Sequence, residues 1–426
     1  MQARSRTKNM ERMEEAVAGA DYEGLQHFIA DSPWLAQPVM DHVAIEVSGL
    51  LDGPQCLAYV DETCTSKKGT KSVGVARQYN GRLGKVDNCQ VAVFAALGRG
   101  ERVALAGARL YLPQQWCEVP ARCAAAGIPE ADRIFKSKST LALELITHLR
   151  TIGAKFTATA LDAGYGKDPA LLRALDAAGE VFVVDLHSSQ RVWLDDPWPA
   201  PRLAGATRCR PSSKLHAVGA ALSFSDWVDQ QAPDAWRSVV LRQGTKGEIR
   251  VEFIHRRVYL WDREEGGAKL WHLVARRMLD AQGRVDKTAW SLRNAPADTA
   301  PTQIVAMACA RYFIERSFQD AKSSLGLADY QTRGWLAWHH HMALVMLAML
   351  FQLRERLMHA QEHPLLSAAD VVELLRHYLP AAAVTRADVL AQLQQRHRKR
   401  RNSIDSAYRK QKPLDDFFER PDELPK

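Results

Sequence analysis

The order in which strand-like and helical runs follow one another between residues 55 and 184 constrains this chain more than any other feature. Apolar runs of strand length lie at 56–60, 90–97 and 103–112, the last two separated by a turn at 98–100. A helical segment follows around 140–152, then a strand at 155–161, a helix at 169–178 and an apolar strand at 181–184. Three strands in succession suggest a meander, and the alternation after them makes the sheet an α/β one.

The flanks have other textures. Residues 1–50 carry helical patterns, with Met13, Ala16, Leu25, Phe28 and Ile29 as apolar positions and polar breaks at 19–21 and 31–33. From 188 to 300, β-branched and aromatic residues alternate at 248–261 and 270–278, with turns at 264–267 and 281–283. This stretch holds seven of the eleven tryptophans: Trp193, Trp198, Trp227, Trp236, Trp261, Trp271 and Trp290. Most are expected in its core. Helical periodicity returns at 302–325 and 335–358, then at 368–377, with a shorter helix near 386–395 and a basic tail beyond it. The expected organisation is a core in two parts, 51–187 and 301–360, split by a β-rich insertion at 188–300 and flanked by helical regions at 1–50 and 361–426.

With 426 residues, 46% of them hydrophobic, the chain can build a substantial core. It has no run of eighteen apolar residues, and its first twelve are too polar for a secretory leader, so a cytoplasmic location and no membrane partner are expected. Seven cysteines without a Cys-x-x-Cys pair exclude a zinc ribbon or a disulfide framework. The net charge of +8 is concentrated: residues 396–412 hold eight Lys or Arg against Asp405 alone, a local excess of +7, as in a phosphate-binding arm that includes Arg398, Arg400 and Arg401.

Phosphoryl transfer on DNA needs an activated attacking oxygen and a neutralised leaving oxygen, and two Mg²⁺ ions about 3.5–4 Å apart serve both needs. Such ions take oxygen ligands from rigid elements. Asp61 closes the first strand in Ala-Tyr-Val-Asp-Glu, and Asp162 closes the fourth in Leu-Asp-Ala-Gly-Tyr-Gly166. Glu315 lies in the helical segment 311–322. At about 100° per residue, Arg311, Glu315 and Lys322 share one stripe, a carboxylate between two cations that suits a metal held against phosphate. Glu62, Asp87, Asp168 and Asp185 compete as carboxylates; Glu62 should face away from Asp61, and Asp168 looks like a helix cap.

These residues resemble those of the insertion-sequence DDE transposases, in particular the cut-and-paste enzymes with an Arg-x3-Glu-x6-Lys signature and a β-rich insertion. Arg311, Glu315, Lys322, Asp61, Asp162 and the segment 74–90 carry the likeness over roughly residues 10–350. A Tyr three residues before the Arg belongs to the fuller signature; here Ala308 stands there. The resemblance implies a ribonuclease-H-like core, with which the strand order agrees though it also fits other mixed sheets. It further implies Mg²⁺ or Mn²⁺, two ions per site held by Asp61, Asp162 and Glu315, DNA-binding helices in 1–50, recognition of terminal inverted repeats and of target DNA, a synaptic homodimer and a place at the nucleoid. Some relatives form a DNA hairpin with an insertion aromatic on a flipped base; Trp290 is the candidate for that stacking. A ribonuclease-H-fold nuclease or resolvase, or a domesticated DNA-binding protein without activity, are the alternatives.

Three further features have two readings each. The cations Lys67, Lys68, Lys71, Arg77, Arg82 and Lys85 follow Asp61 and are expected to contact phosphate, against the plainer reading of a solvated loop. His339, His340 and His341 are consecutive, so on a helix they cannot converge on one ion and take packing or DNA-facing roles. In the tail, Gln411, Leu414, Phe417 and Phe418 have the spacing of Gln-x-x-Leu-x-x-Phe-Phe peptides that dock into sliding clamps, the alternative being a tail packed on its own core.

Overall fold

The computed structural model describes residues 8–81, 83–201, 215–244, 247–264, 266–279, 284–379 and 385–411. Ten strands form one sheet: β1 (Leu57–Ser66), β2 (Ala76–Asn80), β3 (Lys85–Arg99), β4 (Arg102–Leu110), β5 (Ala158–Leu161), β6 (Phe182–Leu186), β7 (Arg237–Gly244), β8 (Gly247–Leu260), β9 (Lys269–Leu279) and β10 (Val285–Arg293). The order is β7-β8-β9-β10-β6-β5-β1-β3-β2, with β4 also on the outer edge of β3. β1, β3 and β4 are antiparallel, whereas β1, β5 and β6 are parallel because helices intervene between them. This is the mixed sheet of a ribonuclease-H-like core, as expected.

The helices are α1 (Met10–Ala16), α2 (Tyr22–Ala30), α3 (Ala36–Leu50), α4 (Lys138–Thr151), α5 (Ala163–Gly166), α6 (Pro169–Ala177), α7 (Pro301–Ala310), α8 (Tyr312–Ser324), α9 (Trp335–Met358), α10 (Ala368–Tyr378) and α11 (Arg386–Gln411), besides shorter turns. Strand alternation assigns them to faces. Phe94 of β3 meets Phe318 of α8 edge-on at 5.5 Å. On the other face Gly107 of β4 lies so close to α4 that a Cβ there would stand 2.9 Å from Leu145 Cδ2. Covered on both sides, β3 is buried without interruption over residues 89–98. By length and composition α9 would span a membrane, yet 67% of its apolar window is buried inside this fold. Its histidines diverge as expected: His340 is held between the carbonyls of Ile29 and Trp34, His341 on Gly326 and His339 on Trp335.

Several expectations need correction. β1 does not stop at Val60: antiparallel pairing with β3 carries it to Ser66, so Asp61 is mid-strand rather than terminal. The strands between residues 237 and 293 continue the core sheet, since β10 pairs with β6 from Arg293↔Val183 to Trp290↔Leu186. The basic segment is not a tail after a short helix. No Gly or Pro interrupts 386–411, and α11 runs through it as one exposed helix, tied back by Arg396 to Glu15 at 2.6 Å and by Lys399 to Glu11 at 2.7 Å. Of the seven tryptophans in 188–300, Trp198 alone is exposed, at 72%. The clamp-like residues Leu414, Phe417 and Phe418, and Arg82, lie outside the described residues; Gln411 is the last residue of α11.

Candidate functional site

The parallel register decides where the aspartates fall. β1 and β5 pair from Leu57↔Ala158 to Val60↔Leu161, so the next residue on each strand is Asp61 and Asp162. β5 and β6 pair up to Leu161↔Val184, which brings Asp185 to the same level. Three aspartates therefore stand in a row on neighbouring strands. Asp162 turns at once into α5, where its Oδ1 caps the backbone N–H groups of Gly164 at 2.9 Å and Tyr165 at 3.2 Å. Gly166 ends that turn directly against β6: a Cβ there would lie 2.1 Å from the carbonyl oxygen of Asp185.

Arg311 spans the row. It sits at the break between α7 and α8, where a single helix was expected, with φ −57° and ψ −27°. Its Nε donates to Asp185 Oδ2 at 3.1 Å, its Nη1 to Asp61 Oδ2 at 3.3 Å, and its Nη2 to Glu315 Oε1 at 3.5 Å. The Arg311, Glu315 and Lys322 stripe thus faces β1: the Lys322 ammonium donates to the hydroxyl of Thr63, which shares a strand face with Asp61. Both cations of the signature are engaged by the chain's own groups here, whereas phosphate was the expected partner. The Glu315 side chain lies at the open rim, 58% exposed.

The electrostatics follow from this crowding. Burial, then the carboxylates of Asp162 and Glu315, push the Asp61 carboxyl up to about 7 in spite of Arg311. Burial alone would raise Asp185 as well, but Arg276 and Arg311, with hydrogen bonds from Arg276 and Ser291, hold it below the usual carboxylate range. The Tyr165 hydroxyl is buried and meets no hydrogen-bonding partner among the described residues; burial first, then Glu62, Asp61 and Asp162, push its proton affinity well above normal. Among the described residues no three His, Cys, Asp or Glu form a ready-made group of metal ligands. Even so, an all-oxygen donor set in which neighbouring carboxylates raise the proton affinity of Asp61 fits a hard divalent cation.

The competing carboxylates are otherwise engaged. Glu62 pairs with Lys138 of α4 on the opposite face at 2.6 Å, Asp87 accepts from Ser66, and Asp168 caps α6 at Leu171. Asp185, placed among the competing carboxylates from sequence, lies level with Asp61 and Asp162 and accepts from Arg311. Its signal was there, an aspartate directly after an apolar strand, as at Asp162.

The other expected DNA contacts divide. Lys68, Lys71, Arg77 and Lys85 are exposed. Lys67 is engaged within the chain: its ammonium donates to the Tyr330 carbonyl at 2.7 Å, lies over that ring, and is lowered by burial to about 8. Arg398, Arg400 and Arg401 are exposed on α11. Trp290 is half-buried in β10, between Leu186 and Ala275, and packs on the core.

A ribonuclease-H-like sheet with carboxylates just past the last parallel pairing of neighbouring strands defines a class of nucleic-acid-cutting enzymes. Residues 1–248, which include Asp61 and Asp162, match the family model of the DDE superfamily endonucleases. The chain belongs to that family. It is also similar to a probable transposase for insertion sequence element IS701 from Microchaete diplosiphon, with 23% identity over 327 residues, 76% of this chain and 72% of the relative. The likeness to insertion-sequence DDE transposases read from the sequence is borne out; Glu315 lies beyond the matched segment.

Proposed function

We propose that this chain is the transposase of an insertion sequence, binding the element's terminal inverted repeats, cleaving DNA there and joining the freed 3′-hydroxyl to target DNA. Asp61, Asp162 and Glu315 would hold Mg²⁺ or Mn²⁺, two ions per site. When bound, the ions supply the positive charge that makes an attacking oxygen nucleophilic and neutralises the leaving one. The chain's own residues grip and orient the DNA. Arg311 can exchange its carboxylate partners for phosphate oxygens as a planar fork, and Lys322 stands one face-step along β1. Lys68, Lys71, Arg77 and Lys85 would follow the backbone near the site, and Arg398, Arg400 and Arg401 farther out.

In this reading residues 1–50 bind end DNA, 51–187 and 301–360 make up the catalytic core, 188–300 its insertion and 361–426 a basic helical region. Two copies pair the ends at the nucleoid.

The observation that supports the assignment most directly is the register that aligns Asp61 with Asp162 beneath Arg311 and Glu315. The test is Mg²⁺-dependent cleavage and joining of labelled DNA carrying the element's own ends. Asp61→Ala, Asp162→Ala and Glu315→Ala are each expected to bind the ends and fail to cut. A variant that cuts normally removes its residue from the metal site. Cutting without joining by the parent protein would instead make it a nuclease, and binding without cutting a DNA-binding protein.

A further inference from the structure

We propose that Asp185 is a positioning residue that fixes the Arg311 guanidinium across the strand ends, so that both Nη groups face the reacting phosphate; the proposal rests on the reading of Asp61, Asp162 and Glu315 as the reaction centre. The three aspartates in the row share a level but not a role. Asp162 caps α5, and Asp61 accepts from the Glu62 backbone N–H at 2.7 Å and from Arg311 Nη1. Asp185 has both oxygens committed to donors: Oδ1 to Arg276 Nη2 at 2.8 Å and Ser291 Oγ at 2.7 Å, and Oδ2 to Arg311 Nε at 3.1 Å. With both oxygens engaged, and three of about four acceptor sites taken by two arginines and a hydroxyl, it is a poorer candidate for a cation ligand than Asp61 or Asp162.

Its surroundings are built for rigidity. Arg276 and Ser291 stand on β9 and β10 and are bonded to each other, Ser291 is the register partner of Asp185, and Gly166 packs against the Asp185 carbonyl. A guanidinium is planar, so an anchor on Nε fixes the direction of Nη1 and Nη2 together. Those two groups are the ones that reach Asp61 and Glu315. Incoming phosphate can take them over while Nε stays on Asp185. The strands between residues 237 and 293 thereby acquire a part in the chemistry through Arg276 and Ser291.

The experiment is a mutant cycle on the full-length chain, reading single-turnover cleavage of prebound end DNA and, separately, the Kd for that DNA. Asp185→Asn is expected to slow cleavage by about 100-fold, the cost of a misplaced reacting group. End binding should stay within about twofold, and in an Arg311→Ala background Asp185→Asn should cost nothing further beyond about twofold, because residues acting through one another are non-additive. Equal losses in both backgrounds, or no loss in the parent, would overturn the proposal. If Asp185→Asn does not fold, Ser291→Ala, which removes one donor only, enters the same cycle under the same criterion. An Asp61→Asn control separates the two readings: if it and Arg311→Ala both cut at the parent rate, the centre itself is misassigned; if both fail while Asp185→Asn cuts normally, only the positioning role is lost.

Discussion

Arg311 and Asp61 form an ion pair of 3.3 Å that does not return Asp61 to the ordinary carboxylate range. With its side chain only 14% exposed and two carboxylates nearby, Asp61 titrates near 7, against roughly 4 in an unfolded chain. Between those values the folded chain holds a proton that the unfolded chain has released, so stability falls as pH rises from about 4 to about 7. Asp61→Asn removes the cost. In metal-free buffer it should raise stability by roughly 1–3 kcal/mol at pH 8, with the gain shrinking towards pH 5. Denaturant titrations at the two pH values test this; a difference independent of pH would show that Asp61 is not perturbed.

Glu180 makes a second prediction, away from the site. Both its oxygens accept from Arg150 at 2.9 Å, and Oε1 also accepts from the hydroxyl of Thr159, which is fully buried in β5. Glu180→Ala strands that hydroxyl and leaves the guanidinium with the Phe156 carbonyl alone of its hydrogen-bond partners. Because Arg150 remains partly exposed, the loss should be about 2–4 kcal/mol rather than more. An unchanged urea midpoint would mean that water replaces the carboxylate without cost.

Gly166→Ala tests the seating of Asp162. The new Cβ meets the Asp185 carbonyl at 2.1 Å and Val184 Cγ2 at 3.0 Å, so α5 has to move off β6. Destabilisation of about 1–3 kcal/mol is expected, together with slower cleavage. Gly164→Ala is the control: its nearest neighbour is the Asp162 carboxylate at 3.1 Å, a side chain able to yield, and its effect should be clearly smaller. Equal thermal shifts for the two would mean that the close approach at Gly166 is relieved cheaply.

The sequence revealed the core because its strands are buried on both faces and read as continuous apolar runs, as at residues 89–98. It showed the stripe of Arg311, Glu315 and Lys322 because helical spacing is local. What it could not carry was register. That Asp61 neighbours Asp162 and that Asp185 joins them follows from β1 pairing with β5 and β5 with β6, contacts between segments far apart in the chain. The same limit hid the pairing of β10 with β6, which joins the strands from 237 to 293 to the core sheet.

The basic helix makes the last prediction. Arg396 and Lys399 bind Glu15 and Glu11, which turns that side of α11 towards α1. At about 100° per residue, Arg398 and Arg401 then lie on the far side and Arg400 on the flank. If these three contact phosphate, replacing all with Ala should lower the slope of log Kd against log salt by about 2–3, since each contact contributes about 0.9. The loss should be alike for end DNA and unrelated DNA, because phosphate carries no sequence information. Fluorescence anisotropy across a salt series on both DNAs measures it. An unchanged slope would take α11 out of the DNA interface; a loss confined to end DNA would instead mean that these arginines read bases.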